Sequence, residues 1–212
     1  MTTAIIGLGR IGSRVAALLA AGGQEVVVAD RDPAKAVALA DSIRGANAAP
    51  SIDAAIDVAE VVIPAIFFSA LPGFLADYGD ALVGKTLIDP TNPVSFRDGP
   101  ITRIIGENES GGETIAPLVP AGTGFAKAFG TLGAETLTTA ANAEPRNALF
   151  YVTDDDRVAV ITAELITAAG YAPVRAGGID RSADIELQGA LHQFGGAGGP
   201  LGEAAARKLV GG

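Results

Sequence analysis

Ala4-Ile5-Ile6-Gly7-Leu8-Gly9-Arg10-Ile11-Gly12-Ser13 is the stretch on which the fold turns. Three apolar residues make a short buried strand. From Ile11 the apolar positions Val15, Leu18 and Leu19 recur at helical spacing until Gly22-Gly23 stops the helix. Between strand and helix lies a G-x-G-x-x-G loop, the setting in which that motif binds a dinucleotide. Gly7 permits the tight turn, Gly9 lets the backbone approach a pyrophosphate, and Gly12 lets helix and strand pack closely. Leu8, Arg10 and Ile11 complete the loop. The helix N-terminus offers N–H groups and a partial positive charge to phosphates, with Ser13 as a further donor.

Outward from that loop, short apolar runs alternate with helical patterns, the signature of a parallel α/β sheet. Strands are expected at Glu25–Ala29, weakly at Ala46–Ala49, at Val61–Ile63, Thr86–Asp89, Phe125–Ala128, Ala148–Val152 and Ala172–Arg175. Asp32-Pro33 opens a helix as N-cap and first-turn proline. Gly99 to Gly124 reads as loop with one modest helix, and a further helix is expected from about Arg181 to Phe194. The tail Gly195-Gly196-Ala197-Gly198-Gly199-Pro200 is too rich in glycine for regular structure. The reading is a Rossmann-type, doubly wound, mostly parallel sheet. A dinucleotide-binding domain would span 1–115 and a smaller C-terminal α/β extension 116–212.

Composition sets the bounds. Of 212 residues, 49% are hydrophobic and 18% charged, so a sizeable core is available. A net charge of −9 repels phosphate backbones, and nucleic acid is not an expected partner. With no cysteine and one histidine, His192, there is no thiolate nucleophile, no disulfide and no cysteine or polyhistidine metal cage; no metal is expected. The apolar run Val61–Leu71 is broken by Pro64 and too short to span a bilayer. No basic signal region precedes Ala4, so a soluble cytoplasmic protein is expected.

The end of the second strand bears on the nucleotide. Asp30, about twenty residues beyond Gly9, is placed to accept the ribose hydroxyls of NAD. Arg31 and Lys35 are placed to grip the 2′-phosphate of NADP, Arg31 by its fork and Lys35 as a point charge. In the plain alternative Arg31 stacks on adenine and Lys35 is a solvated helix residue. The residues alone leave NAD against NADP open. Asp154-Asp155-Asp156 reads as a helix N-cap rather than a cation site. His192 reads as a satisfied structural histidine in preference to a substrate-binding one.

Several segments together resemble the coenzyme F420-dependent NADP oxidoreductases. They are the glycine loop, Val61-Val62-Ile63-Pro64-Ala65-Ile66, Asp89-Pro90-Thr91-Asn92-Pro93, Lys127-Ala128-Phe129-Gly130-Thr131, Asp154-Asp155-Asp156 and the glycine-rich tail. The resemblance implies a homodimer passing hydride between NADP(H) and the deazaflavin F420. It puts Arg31 and Lys35 on the 2′-phosphate; where the family has a small hydroxyl side chain, this chain has Asp30. It also lines the nicotinamide pocket with Pro64, Ala65 and Ile66, with Asn92 and Pro93 nearby. Gly198 and Gly199 would let the tail lie against the second coenzyme. Hydride transfer between stacked rings needs no catalytic acid or base, and none is expected. Phe67 and Phe68 would extend the apolar wall or simply pack in the core. Two other readings stay open: an NAD(P)H reductase of another small substrate or flavin, of the imine or β-hydroxyacid type among others, and a module that senses NAD(P)H without turnover.

Overall fold

The computed structural model describes residues 1–95, 101–107 and 109–211. The strands of its main sheet are β1 (Thr2–Ile6), β2 (Glu25–Ala29), β3 (Ala46–Ala48), β4 (Val61–Pro64), β5 (Thr86–Asp89), β8 (Gly124–Lys127), β9 (Ala148–Val152) and β10 (Ala172–Gly177). β6 (Val94–Ser95) and β7 (Thr102–Arg103) form a separate antiparallel pair, the latter inside the stretch expected to be mostly loop. The start of that loop, at Gly99, lies outside the described residues.

The sheet order is β10-β9-β8-β5-β4-β1-β2-β3. From β3 to β8 every pairing is parallel, while β9 meets β8 antiparallel through a single register pair, Lys127 with Val152. The expected Rossmann-type, mostly parallel sheet is therefore what the chain forms. β1 pairs with β2 on one side and β4 on the other, so the strand order reverses there and opens a crevice at the carboxyl ends.

β1, β2, β4, β5 and β9 are buried on both faces, as their unbroken apolar runs require. Successive side chains point to opposite faces. Ile5, Val26, Val28 and Ile63 thus join one apolar cluster, and Ala4, Ile6, Val27 and Val62 another. The first cluster packs under α1 (Gly12–Ala21) and α7 (Asp156–Ala168). The second packs under α3 (Ile52–Val58) and α4 (Leu71–Leu82). Local chemistry starts the helices as the sequence suggests. Asp32 accepts the Ala34 N–H ahead of α2 (Pro33–Ser42), and Asp155 accepts those of Arg157 and Val158 ahead of α7.

The helices of the C-terminal part depart from the sequence expectation in two ways. The helix expected over 181–194 is only α8 (Ser182–Ile185). Beyond it Gln188 takes a left-handed φ of +70°, and the Leu191 N–H bonds back to Asp184, so the chain folds into turns. Short helices α6 (Ala134–Thr139) and α9 (Glu203–Leu209) were not anticipated. Ala148–Val152, the expected strand, is buried throughout in the interior of the sheet.

Candidate functional site

The glycine loop joins β1 to α1 at the crevice, and each glycine has its own steric reason. Gly7 has φ +87°, and a Cβ there would lie 2.7 Å from Ile66 Cγ2 and 2.9 Å from the Ala65 carbonyl oxygen. At Gly12 a Cβ would lie 2.0 Å from the Gly7 carbonyl oxygen and 3.0 Å from Ala65 Cβ. These two contacts seat the loop and the start of α1 on the end of β4. Gly9 is different: a Cβ there would meet nothing within 4 Å. It needs no glycine for packing, and the open space over its backbone is what a pyrophosphate requires. Ile11, at the N-cap of α1, makes no side-chain cap bond. The helix end thus has no internal anion of its own. Leu8 and Ile11 are half-buried, and Arg10 is exposed beside Gly9. Ser13, expected to donate to phosphate, instead donates its hydroxyl to the Gly9 carbonyl at 2.8 Å.

Asp30 sits just past β2, and both its carboxylate oxygens already accept backbone donors. Oδ2 takes the Leu8 N–H at 2.9 Å and Oδ1 the Asp32 N–H at 3.1 Å. Partial burial pushes its pKa up. Those two N–H bonds, with the charges of Lys35 and Arg31, more than offset this and hold the carboxyl below its ordinary value. Arg31 and Lys35 are both exposed at that corner. Asp30 is therefore a latch on the glycine loop as well as a candidate ribose acceptor.

The residues expected to border a nicotinamide follow the ends of β4 and β5, with the end of β8 beside them. Pro64 pairs with Ile6 in the ladder, and Ala65 and Ile66 touch the glycine loop as described. Phe68 is buried in the core, whereas Phe67 is 65% exposed, so only the latter remains for an apolar wall. Asn92 bridges two other segments. Its Nδ2 donates to the Gly130 carbonyl at 3.0 Å, and its Oδ1 accepts the Leu187 N–H at 2.6 Å. Pro93 is buried, and its carbonyl accepts the Ile104 N–H. Gly198 and Gly199 have φ of +67° and +157°, and added Cβ atoms there would meet nothing within 4 Å.

His192 is 2% exposed. Its Nε2 lies 3.1 Å from the Gly130 carbonyl and its Nδ1 accepts the Phe194 N–H at 3.0 Å, which fixes a neutral ring with the proton on Nε2. Burial dominates and pulls its pKa down to about 4, although the Gly130 bond works the other way. The histidine is structural: both nitrogens are engaged.

One group of charges escaped the sequence reading. Lys127, 2% exposed at the end of β8, donates to Asp89 Oδ2 at 2.7 Å and to the Thr91 carbonyl at 2.9 Å. Glu186 Oε1 lies 3.4 Å from the same ammonium. Burial disfavours the charged amine, but the two carboxylates more than offset it and hold Lys127 protonated beyond its ordinary range. The available signal was a charged residue ending each of two otherwise apolar strands. Among the described residues no cluster of three potential metal ligands is found, and Asp154 to Asp156 serve as cap and bonding partners. A concavity of about 760 Å³, lined in part by Gln24, Asn142, Arg146 and Glu164, includes no glycine-loop residue.

The sheet order, its switch point and the glycine loop are those of a Rossmann-type dinucleotide-binding fold. Residues 2–93 match the family model described as NADP oxidoreductase coenzyme F420-dependent, so the family resemblance holds over that part of the chain. No curated protein matches the chain. Among solved structures, a hypothetical protein from Sinorhizobium meliloti is 27% identical with a TM-score of 0.79, over 91% of this chain and 93% of that one. A candidate F420-dependent NADP-reductase from Arthrobacter sp. FB24 is 24% identical with a TM-score of 0.72, over 84% and 86%. A reductive aminase from Aspergillus terreus, in complex with NADPH, is 24% identical with a TM-score of 0.64. There 86% of this chain covers 56% of the aminase, and the likeness is one of fold.

Proposed function

We propose that the chain passes a hydride between NADP(H) and the deazaflavin coenzyme F420. The observation that carries this reading is the open space over Gly9 at the switch point of the sheet, in a segment that matches the F420-dependent family. When bound, the two coenzymes supply hydride donor and acceptor from their own rings. The work of the protein is to hold them. The loop from Gly7 to Gly12 takes the pyrophosphate, and Arg31 and Lys35 take the 2′-phosphate. Pro64, Ala65, Ile66, Asn92 and Pro93 border the nicotinamide.

The proton that accompanies the hydride onto F420 comes from solvent at the deazaflavin edge in this scheme, so no side chain need move one. His192, the residue that ordinary acid–base chemistry would nominate, has both nitrogens engaged. The extension beyond residue 115 forms the second wall, with Gly198 and Gly199 leaving room for the deazaflavin. We also propose a homodimer in the cytoplasm; Val160, Phe194 and Leu209 are apolar side chains that the extension leaves exposed.

The test is direct: purified protein is mixed with NADPH and oxidised F420, and the deazaflavin absorbance is followed. Its loss at the rate of NADPH oxidation is the expected result. NADPH oxidation by imines, hydroxyacid-derived ketones or flavins alone would replace this reading with that of a general reductase. Tight NADPH binding without any turnover would make the protein a sensor.

A further inference from the structure

Phe129 is fully buried yet holds a φ of +65°, a region that a bulky L residue enters only under constraint. The corner it makes lies between two sets of bonds. Before it, Lys127 is tied to Asp89, to the Thr91 carbonyl and to Glu186. After it, the Gly130 carbonyl accepts both Asn92 Nδ2 and His192 Nε2. Gly130 itself is pressed in, for a Cβ there would lie 2.7 Å from the Pro90 carbonyl oxygen.

Glu186 extends the network to a further segment. Its Oε2 accepts the Gly111 N–H at 3.0 Å and its Oε1 the Gly112 N–H at 2.9 Å. Gly112 must lack a side chain, since a Cβ would fall 1.9 Å from Ser182 Oγ and 2.8 Å from Lys127 Cδ. One ammonium thus gathers the ends of β5 and β8, the start of α5 (Gly111–Ile115) and the residue before Leu187. Leu187 in turn donates to Asn92.

We propose that Lys127, held between Asp89 and Glu186, is a positioning residue that fixes the Phe129–Gly130 corner and the 187–194 segment against the nicotinamide end of the crevice. An apolar cluster would fill the same volume. Directional bonds among buried charges also set where Asn92 and Gly130 stand. Lys127 touches no reacting atom. The proposal rests on the reading above in placing hydride transfer at the ends of β4, β5 and β8.

Two variants test it: Glu186→Gln, which keeps shape and one acceptor, and the neutral triple variant Asp89→Asn, Lys127→Met, Glu186→Gln, which avoids a stranded charge. Hydrogen exchange read by mass spectrometry needs no turnover. Peptides over 186–194 should exchange about tenfold faster in both variants, with peptides over 1–12 unchanged. In kinetics with NADPH and F420, kcat should fall about tenfold or more while KM for NADPH stays within about threefold, as for a displaced wall rather than a lost binding contact. Unchanged exchange over 186–194, or exchange raised evenly along the whole chain in both variants, overturns the proposal. So does a rise in KM for NADPH that accounts for the whole kinetic loss. A wild-type protein that moves no hydride to F420 sinks the function proposed above, and the exchange pattern then decides the positioning role alone.

Discussion

The backbone of Gly7 and the missing side chain of Gly12 are in direct contact: a Cβ on Gly12 would lie 2.0 Å from the Gly7 carbonyl oxygen. Gly9, between them in sequence, faces open space. Three glycines of one motif thus answer to two different demands, packing and access.

Substitution separates those demands. Gly9→Val should leave the fold intact and abolish NADPH binding, because the side chain fills phosphate space. Gly12→Ala should instead lower stability, by a few kcal/mol, through overpacking of the β1–α1 contact. Calorimetric titration beside a thermal melt checks both. Unchanged affinity in a folded Gly9→Val protein would remove the glycine loop as the pyrophosphate site.

NADPH should bind at least as tightly as NADH despite Asp30, whose two oxygens are partly spent on the Leu8 and Asp32 N–H groups. Charge-assisted hydrogen bonds contribute about 1.5–3 kcal/mol each. Arg31→Ala with Lys35→Ala should therefore weaken NADPH by more than about tenfold and leave NADH nearly unaffected. Titration with both nucleotides decides, and a tenfold preference of the wild type for NADH would give the site to Asp30.

How the sequence disclosed this site depends on how local the causes are. The glycine loop was legible because strand, turn and helix lie within a short stretch, and β1, β2, β5 and β9 were legible because buried parallel strands are unbroken apolar runs. Arg181 to Phe194 misled for the opposite reason. Leu187, Leu191 and Phe194 imitate a helical face, but Glu186 is drawn inward by Gly111 and Gly112, partners 75 and 74 residues away. The Lys127 cluster was hidden likewise: Asp89 lies 38 residues off, and no short window contains both.

His192→Gln should lower hydride turnover by less than about tenfold, since a positioned general acid contributes roughly a hundredfold or more. A thousandfold loss in a folded variant would give His192 a direct chemical role.

The same residue predicts a pH dependence of stability. Below its ordinary value near 6.5 the unfolded chain binds a proton at His192, whereas the folded chain resists until about pH 4. Its contribution is thus complete above that window and is lost as pH falls through it, by up to about 1.4 kcal/mol per pH unit. The stability gap between wild type and His192→Gln should narrow from about pH 7 to about pH 5. Urea midpoints at both pH values measure this, and a constant gap would mean that His192 is protonated equally in both states.

Gly198→Leu should affect the deazaflavin step more than NADPH affinity, because the open space that a Cβ there would meet is where the proposed function puts the second coenzyme. Steady-state kinetics with NADPH affinity measured separately checks it; normal turnover with F420 would take the tail out of the site.

The one register pair between β8 and β9 gives the molecule a mechanical grain. Pulled by its two ends, the chain should not yield evenly. In the sheet's hydrogen-bond ladder β9 and β10 join the remaining strands through that pair, with Thr153 Oγ1 on the Phe125 carbonyl beside it, while Leu149 and Tyr151 pack into the core shared with β1 and β2. β1, by contrast, is gripped by five register pairs to β2 and four to β4, which resist together. Under force the β9–α7–β10 unit is expected to part from the sheet before β1, so that the glycine loop, seated between doubly paired strands, outlasts it.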